Sequence, residues 1–103
     1  MEEKLLKIIS FYGVMPQLKY FQSEVFELNE AIIQYENCNF IEYENVEGTY
    51  LNNIAEEIAD VEVMLLQFKE YYNIDGKQIL EIMNKKIDRQ IGRIKKESDI
   101  NES

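Results

Sequence analysis

Histidine is absent from this chain of 103 residues, and cysteine and proline occur once each. The missing histidine removes the usual zinc ligand, the ordinary acid–base group of neutral pH and any serine–histidine catalytic arrangement. Cys38 has no second cysteine to pair with, so no disulfide closes within the chain and a reducing, cytoplasmic setting is expected. Basic residues are few, 11 against 20 acidic ones, for a formal charge of −9. Such a surface repels phosphate backbones, which argues against general binding to nucleic acid or to an anionic membrane. No apolar run approaches the ~20 residues that cross a bilayer, and MEEKLLKIIS lacks the layout of a signal peptide.

The residues that remain are enough for a core. With 46% apolar and 30% charged residues the chain reads as globular. One domain over 1–97, followed by a short polar tail over 98–103, is the expected organisation. Helical spacing dominates and strand-like alternation is missing. A first helix is expected over about Glu2–Phe11, stopping near Gly13. Pro16 belongs in the first turn of a second helix, which runs to about Tyr35. The polar stretch ENCNFIEYENVEGT connects it to a third helix over about Tyr50–Tyr72. Asp75 is the expected N-cap of a fourth, reaching about Lys96.

The second and third helices carry matched apolar stripes. Leu18, Phe21, Val25, Leu28, Ile32 and Tyr35 advance by alternating steps of three and four, as do Ile54, Ile58, Val61, Leu65, Phe68 and Tyr72. That spacing predicts an antiparallel hairpin packed at a shallow angle. Ala55, Ala59, Val63 and Leu66 add a second apolar side to the third helix, which in so short a chain calls for a partner subunit. The expected fold class is all-α, a small four-helix-type bundle completed by homo-oligomerisation, as a dimer or a dimer of dimers.

Acidic residues interrupt these stripes in a regular way. Glu57 and Asp60 each stand one residue before a seam position, and so do Glu24 and Glu27, about 100° around the helix from the seam. Glu24 and Glu27 lie roughly 13–18 Å before the end of their helix, and Glu57 and Asp60 roughly 10–15 Å after the start of theirs. Four carboxylates are therefore expected at one level on one edge of the hairpin. Unaccompanied, they repel one another. Oxygen ligands without histidine or cysteine favour a hard ion, Mg²⁺ with Mn²⁺ as a substitute. The plain alternative is that acids spaced by three residues are solvated charges on helix faces.

The segments YGVMPQL, SEVFELNEAI, EEIADVEVMLLQF and NKKIDRQIGRI together resemble the MazG-like all-α nucleoside triphosphate pyrophosphohydrolases, a family that includes the dimeric dUTPases. The likeness spans about Tyr12 to Arg93. The family's pattern is Glu-Glu-x-x-Glu followed, after a loop, by Glu-x-x-Asp. Ser23 stands where the first glutamate of that doublet is usual, and Phe11 replaces a histidine often found before the Tyr-Gly pair. The resemblance implies Mg²⁺-dependent hydrolysis of a nucleoside triphosphate to the monophosphate and pyrophosphate. Glu24, Glu27, Glu57 and Asp60 would hold the metal, and Glu24 or Glu27 would activate the attacking water. It further implies phosphate contacts from Lys86 and Arg89, with Arg93 on the same flank. Two more residues are candidates for substrate contact, Gln17 on the carboxylate side of the second helix and Asn53, four residues before Glu57. Phe21 is a seam residue first, Met64 and Met83 fill core gaps, and Cys38 is an inert loop residue. The rival to an enzyme is a non-catalytic helical interaction module whose acids are merely solvated.

Overall fold

The computed structural model describes residues 1–38 and 46–102, and those residues are arranged in four α-helices without a strand among them. The helices are α1 (Glu2–Tyr12), α2 (Val14–Asn37), α3 (Val46–Tyr71) and α4 (Gly76–Glu102). The all-α class expected from the spacing is the observed one. Among the described residues, no helix is long and apolar enough to cross a membrane. Part of the polar connection between α2 and α3, residues 39–45, lies outside the described residues.

Local chemistry accounts for the helix ends. Glu2 and Glu3 occupy the first turn of α1, where negative charge suits the helix dipole. α1 stops because Gly13 takes φ 92°, a region that L side chains rarely enter. Its N–H donates to the Ile9 carbonyl at 2.8 Å, and its own carbonyl accepts from the Gln17 N–H at 3.2 Å. One glycine thus closes α1 and opens α2. Pro16 falls in the first turn of α2, where a missing N–H costs no helical hydrogen bond. The Asp75 carboxylate accepts from the Lys77 N–H at 3.0 Å, so the expected N-cap of α4 is present. α4 continues past the expected end near Lys96 to Glu102, and α3 begins at Val46 rather than near Tyr50.

Two compact units divide the chain, Met1–Tyr72 and Asn73–Ser103. In the first, α2 and α3 form an antiparallel pair and α1 packs against both. Phe21 meets Phe68 edge to face at 5.8 Å, and Gln17 reaches Gln67, which gives the register of the pair. Among the described residues, the buried apolar side chains are Leu5 and Ile9 from α1, Ala31 from α2 and Met64 from α3. Each fully buried large side chain of this kind stabilises by about 1.5–3 kcal/mol relative to exposure. At the other end of the pair Cys38 is half-buried, and its nearness pushes the Tyr50 phenol above the usual range. Cys38 follows the last residue of α2 with extended backbone, and its N–H donates to the Tyr35 carbonyl at 3.2 Å.

The seam itself differs from the expected one. On α2 the inward residues are Gln17, Phe21, Glu24, Leu28, Ala31 and Tyr35, while Leu18, Val25 and Ile32 are exposed. On α3, Glu57 and Met64 turn inward, while Ile58 and Leu65 are exposed. Phe21, Leu28 and Tyr35 keep their places while the other three inward positions of α2 move back by one residue. The buried face is thus turned by about half a residue step, roughly 40–50°, and α3 is turned alike. The cause is that α3 is apolar on more than one side, so α1 can take a face that periodicity alone assigns to the hairpin. Two glutamates consequently sit between the helices rather than beside them.

In the second unit α4 stands as a single long amphipathic helix. Its stripe of Leu80, Met83, Ile87, Ile91 and Ile94 follows the expected spacing, and all five are exposed.

Candidate metal centre

The acids at the centre of the α2–α3 pair are placed by helix register. Glu24 is 4% exposed, one turn before Leu28, and faces α3. Glu57 is half-buried and Asp60 exposed, one turn apart on α3. One carboxylate oxygen from each of Glu24, Glu57 and Asp60 lies within 4.8 Å of the other two. Glu27, the fourth acid expected here, is exposed and lies near enough for its charge to act on Glu57. Three of the four therefore form one group, with the fourth at its rim.

Electrostatics mark the group as incomplete. Glu24 Oε2 and Glu57 Oε2 are buried and have no hydrogen-bond partner. Burial pushes the Glu24 carboxyl above the usual carboxylate range, and the charges of Glu27 and Asp60 push the same way. A hydrogen bond from Tyr20 opposes that shift. Glu57 is raised as well, first by burial and then by the charges of Glu27, Asp60 and Glu24. Among the described residues, no lysine or arginine pairs with these acids; the ion pair that is present joins Lys69 to Glu70 at 2.9 Å. Buried carboxylate oxygens without donors are costly, and a proton, a water or a cation can each remove the cost.

Donor chemistry fits a hard divalent ion. Opposite oxygens in an octahedral Mg²⁺ shell lie about 4 Å apart, close to the spread of the three oxygens here. All three ligand atoms are carboxylate oxygens, which suit Mg²⁺ or Mn²⁺.

Beside the acids is a cavity of about 530 Å³, lined in part by Tyr12, Gln17, Tyr20, Asp60, Met64 and Gln67. Its size is that of a small-molecule pocket. Gln17 is buried, and its Nε2 donates to Gln67 Oε1 at 2.8 Å. Gln67 Nε2 in turn points at Met64 Sδ at 3.6 Å. Asp60 belongs both to the carboxylate group and to the cavity wall, so the two are continuous.

The remaining candidates are distributed less closely. Asn53 is exposed, one turn before Glu57. Lys86, Arg89 and Arg93 are exposed on α4, in the second unit, where Lys86 and Arg89 line a shallow recess of about 240 Å³ with Ile82 and Lys85. Sequence reasoning missed Tyr20 and Gln67. Both had a signal: Tyr20 is one turn before Glu24, and Gln67 is a polar residue seven positions after Asp60 in an apolar helix. Met64, expected as a core residue, is buried and also floors the cavity. In comparisons with protein-family models, with curated proteins and with solved structures, nothing matches this chain.

Proposed function

We propose that this protein hydrolyses a (deoxy)nucleoside triphosphate to the nucleoside monophosphate and pyrophosphate, with Mg²⁺ (or Mn²⁺) held by Glu24, Glu57 and Asp60 and with Glu27 beside them. The observation that carries the reading is the pair of buried, unpartnered oxygens, Glu24 Oε2 and Glu57 Oε2, inside a three-carboxylate group. A fold does not retain two such oxygens for stability, because their desolvation costs more than apolar packing would. The resemblance of SEVFELNEAI and EEIADVEVML to the MazG-like pattern supports the same chemistry from an independent direction.

Each residue has a task in this reading. Glu24, Glu57 and Asp60 orient the ion, and Mg²⁺ bound there supplies positive charge against the triphosphate and polarises the phosphoryl group. Glu27, outside the three-oxygen group, accepts the proton of the attacking water, with Glu24 as the alternative base. The cavity next to Asp60 receives the nucleoside, with Tyr12 and Tyr20 as flat surfaces and the Gln17 amide as a polar contact. Asn53 is assigned to orienting a carboxylate or a phosphate. Lys86, Arg89 and Arg93 are assigned to phosphate oxygens, since charge-assisted bonds to phosphate are among the stronger ones a protein makes. The role is housecleaning of nucleotide pools in the cytoplasm. Assembly as a homo-oligomer is part of the proposal, supported by exposed Val25, Ile58 and Leu65 and by the exposed stripe of α4.

The test is incubation with canonical and damaged deoxynucleoside triphosphates, with and without Mg²⁺, followed by assay for pyrophosphate. Metal-dependent release is expected from at least one of them. Glu57→Ala and Asp60→Ala are expected to bring turnover to background while the far-UV helical signal stays intact. If no nucleotide gives pyrophosphate and Mg²⁺ leaves the melting temperature unchanged, the helical interaction module becomes the better account.

A further inference from the structure

The antiparallel α2–α3 pair is covered on one side only. Phe21, Glu24 and Ala31 mark the inward line of α2, and Glu57, Val61 and Met64 that of α3. Leu18, Val25 and Ile32 lie roughly 60–100° around α2 from that line. Leu51, Ile58 and Leu65 lie roughly 70–110° around α3 from theirs, in the same rotational sense. The same sense on two antiparallel helices puts both rows on one side of the pair. Tyr20 and Asp60 turn the opposite way, to the cavity that Ile8 and Tyr12 of α1 line with them. α1 and the carboxylates therefore share one side. The six apolar residues occupy the other, and all six are exposed.

We propose that a second copy of the chain docks on this face, the two α2–α3 pairs meeting about a twofold axis with their helices antiparallel. Spacing selects the partner. Each row repeats every seven residues, as helices packed along a seam do, so each meets an equally spaced row on an identical face. Charge sets the direction. Lys19 and Lys69 are the only basic residues of α2 and α3, and the Phe21–Phe68 contact brings them to the same end of the pair. Glu36 stands at the other end of α2, about 25 Å along the helix. Antiparallel copies set the lysines of one against the Glu36 end of the other, whereas parallel copies set lysines against lysines. Docking here leaves both carboxylate groups and both cavities open. The inference names the face for the self-association proposed above, and it stands whether or not the carboxylates hold a cation.

The experiment is sedimentation equilibrium of the full chain over a range of concentrations, with far-UV circular dichroism of each variant. The variants are Val25→Asp, Ile58→Asp, Lys19→Glu and the double change of Lys19→Glu with Glu36→Lys. The wild type is expected to be a dimer. Val25→Asp and Ile58→Asp are expected to be monomers that keep the helical signal, because both positions are exposed within one copy. Lys19→Glu is expected to weaken the dimer about threefold or more, and Glu36→Lys added to it to restore the affinity. Should an aspartate variant lose its helical signal, the charge reversal decides. A monomeric wild type overturns the proposal. So does a dimer that survives both aspartate changes, above all one that dissociates with Ile87→Asp on the α4 stripe. A Lys19→Glu dimer as tight as the wild type overturns the antiparallel arrangement. The pyrophosphate assay is read separately: hydrolysis by a monomer sinks the docking alone, and a dimer without hydrolysis sinks the nucleotide reading alone.

Discussion

Between Met1 and Tyr72 three helices cover one another, whereas from Asn73 onward one helix carries its apolar stripe exposed. Charge divides along the same line. The first stretch has fourteen acidic residues against four basic ones, and the second has six against seven. The packed unit thus collects the negative charge and holds some of it in its interior, at Glu24 and Glu57. The lone helix is close to neutral and has its cations clustered from Lys85 to Lys96. Spending interior positions on glutamate while Val25, Ile58 and Leu65 face outward is the reverse of what stability favours. That inversion marks the unit that tolerates an unfavourable interior as the one in which to look for a carboxylate site.

The contrast is open to direct challenge, beginning with the core. Ile9 is fully buried, so Ile9→Ala is expected to cost about 2–5 kcal/mol by chemical denaturation. Leu80→Ala, on the exposed α4 stripe, is expected to cost under about 0.5 kcal/mol if that stripe has no cover in solution. A Leu80→Ala loss that approaches the Ile9 value and grows with protein concentration would show the stripe covered by another copy, which sharpens the oligomer proposal and ends the contrast.

A smaller effect of opposite sign is expected at Glu24. Its folded-state carboxyl is raised, so the native state binds that proton more tightly than the unfolded chain does. The stability it contributes is full below the usual carboxylate range and is lost as pH rises through the raised folded value. Glu24→Gln should therefore stabilise the metal-free protein by roughly 1–3 kcal/mol near neutral pH. The gain over wild type should shrink as pH falls toward about 4, the ordinary carboxylate range. Thermal melts of both proteins across that range provide the check, and added Mg²⁺ should reverse the ranking. A Glu24→Gln protein no more stable than wild type at any pH would mean that water already satisfies Oε2.

A local effect is expected at the start of the second unit. Asp75→Ala removes the cap on the Lys77 N–H and should cost about 1 kcal/mol. Amide exchange is expected to speed up in the first turn of α4 and to stay unchanged at Ile9 and Met64. Faster exchange in all four helices at once would mean that the two units unfold together.

How much could be read in advance differs between these regions. In α4 the cap, the stripe and the helix itself follow from local rules, because a capping carboxylate and a 3.6-residue period act within one helix. Gly13 and Pro16 likewise announce the break between α1 and α2. The level at which Glu24 meets Glu57 and Asp60 was also legible, since rise per residue measures depth along paired helices. The rotation of α2 and α3 about their own axes was not. Periodicity names an apolar face but cannot rank two of them, and α3 has more than one. α1, packing from the side, settles the choice and turns Gln17, Glu24, Glu57 and Met64 inward. Residue order along each helix thus dictates the all-α class, the helix ends and the common depth of the acids, because those depend on neighbours within a turn or two. The burial of Glu24, the unpartnered oxygens and the cavity beside Asp60 arise only when three helices are packed, because desolvation is a property of everything that surrounds a group and not of its place in the chain.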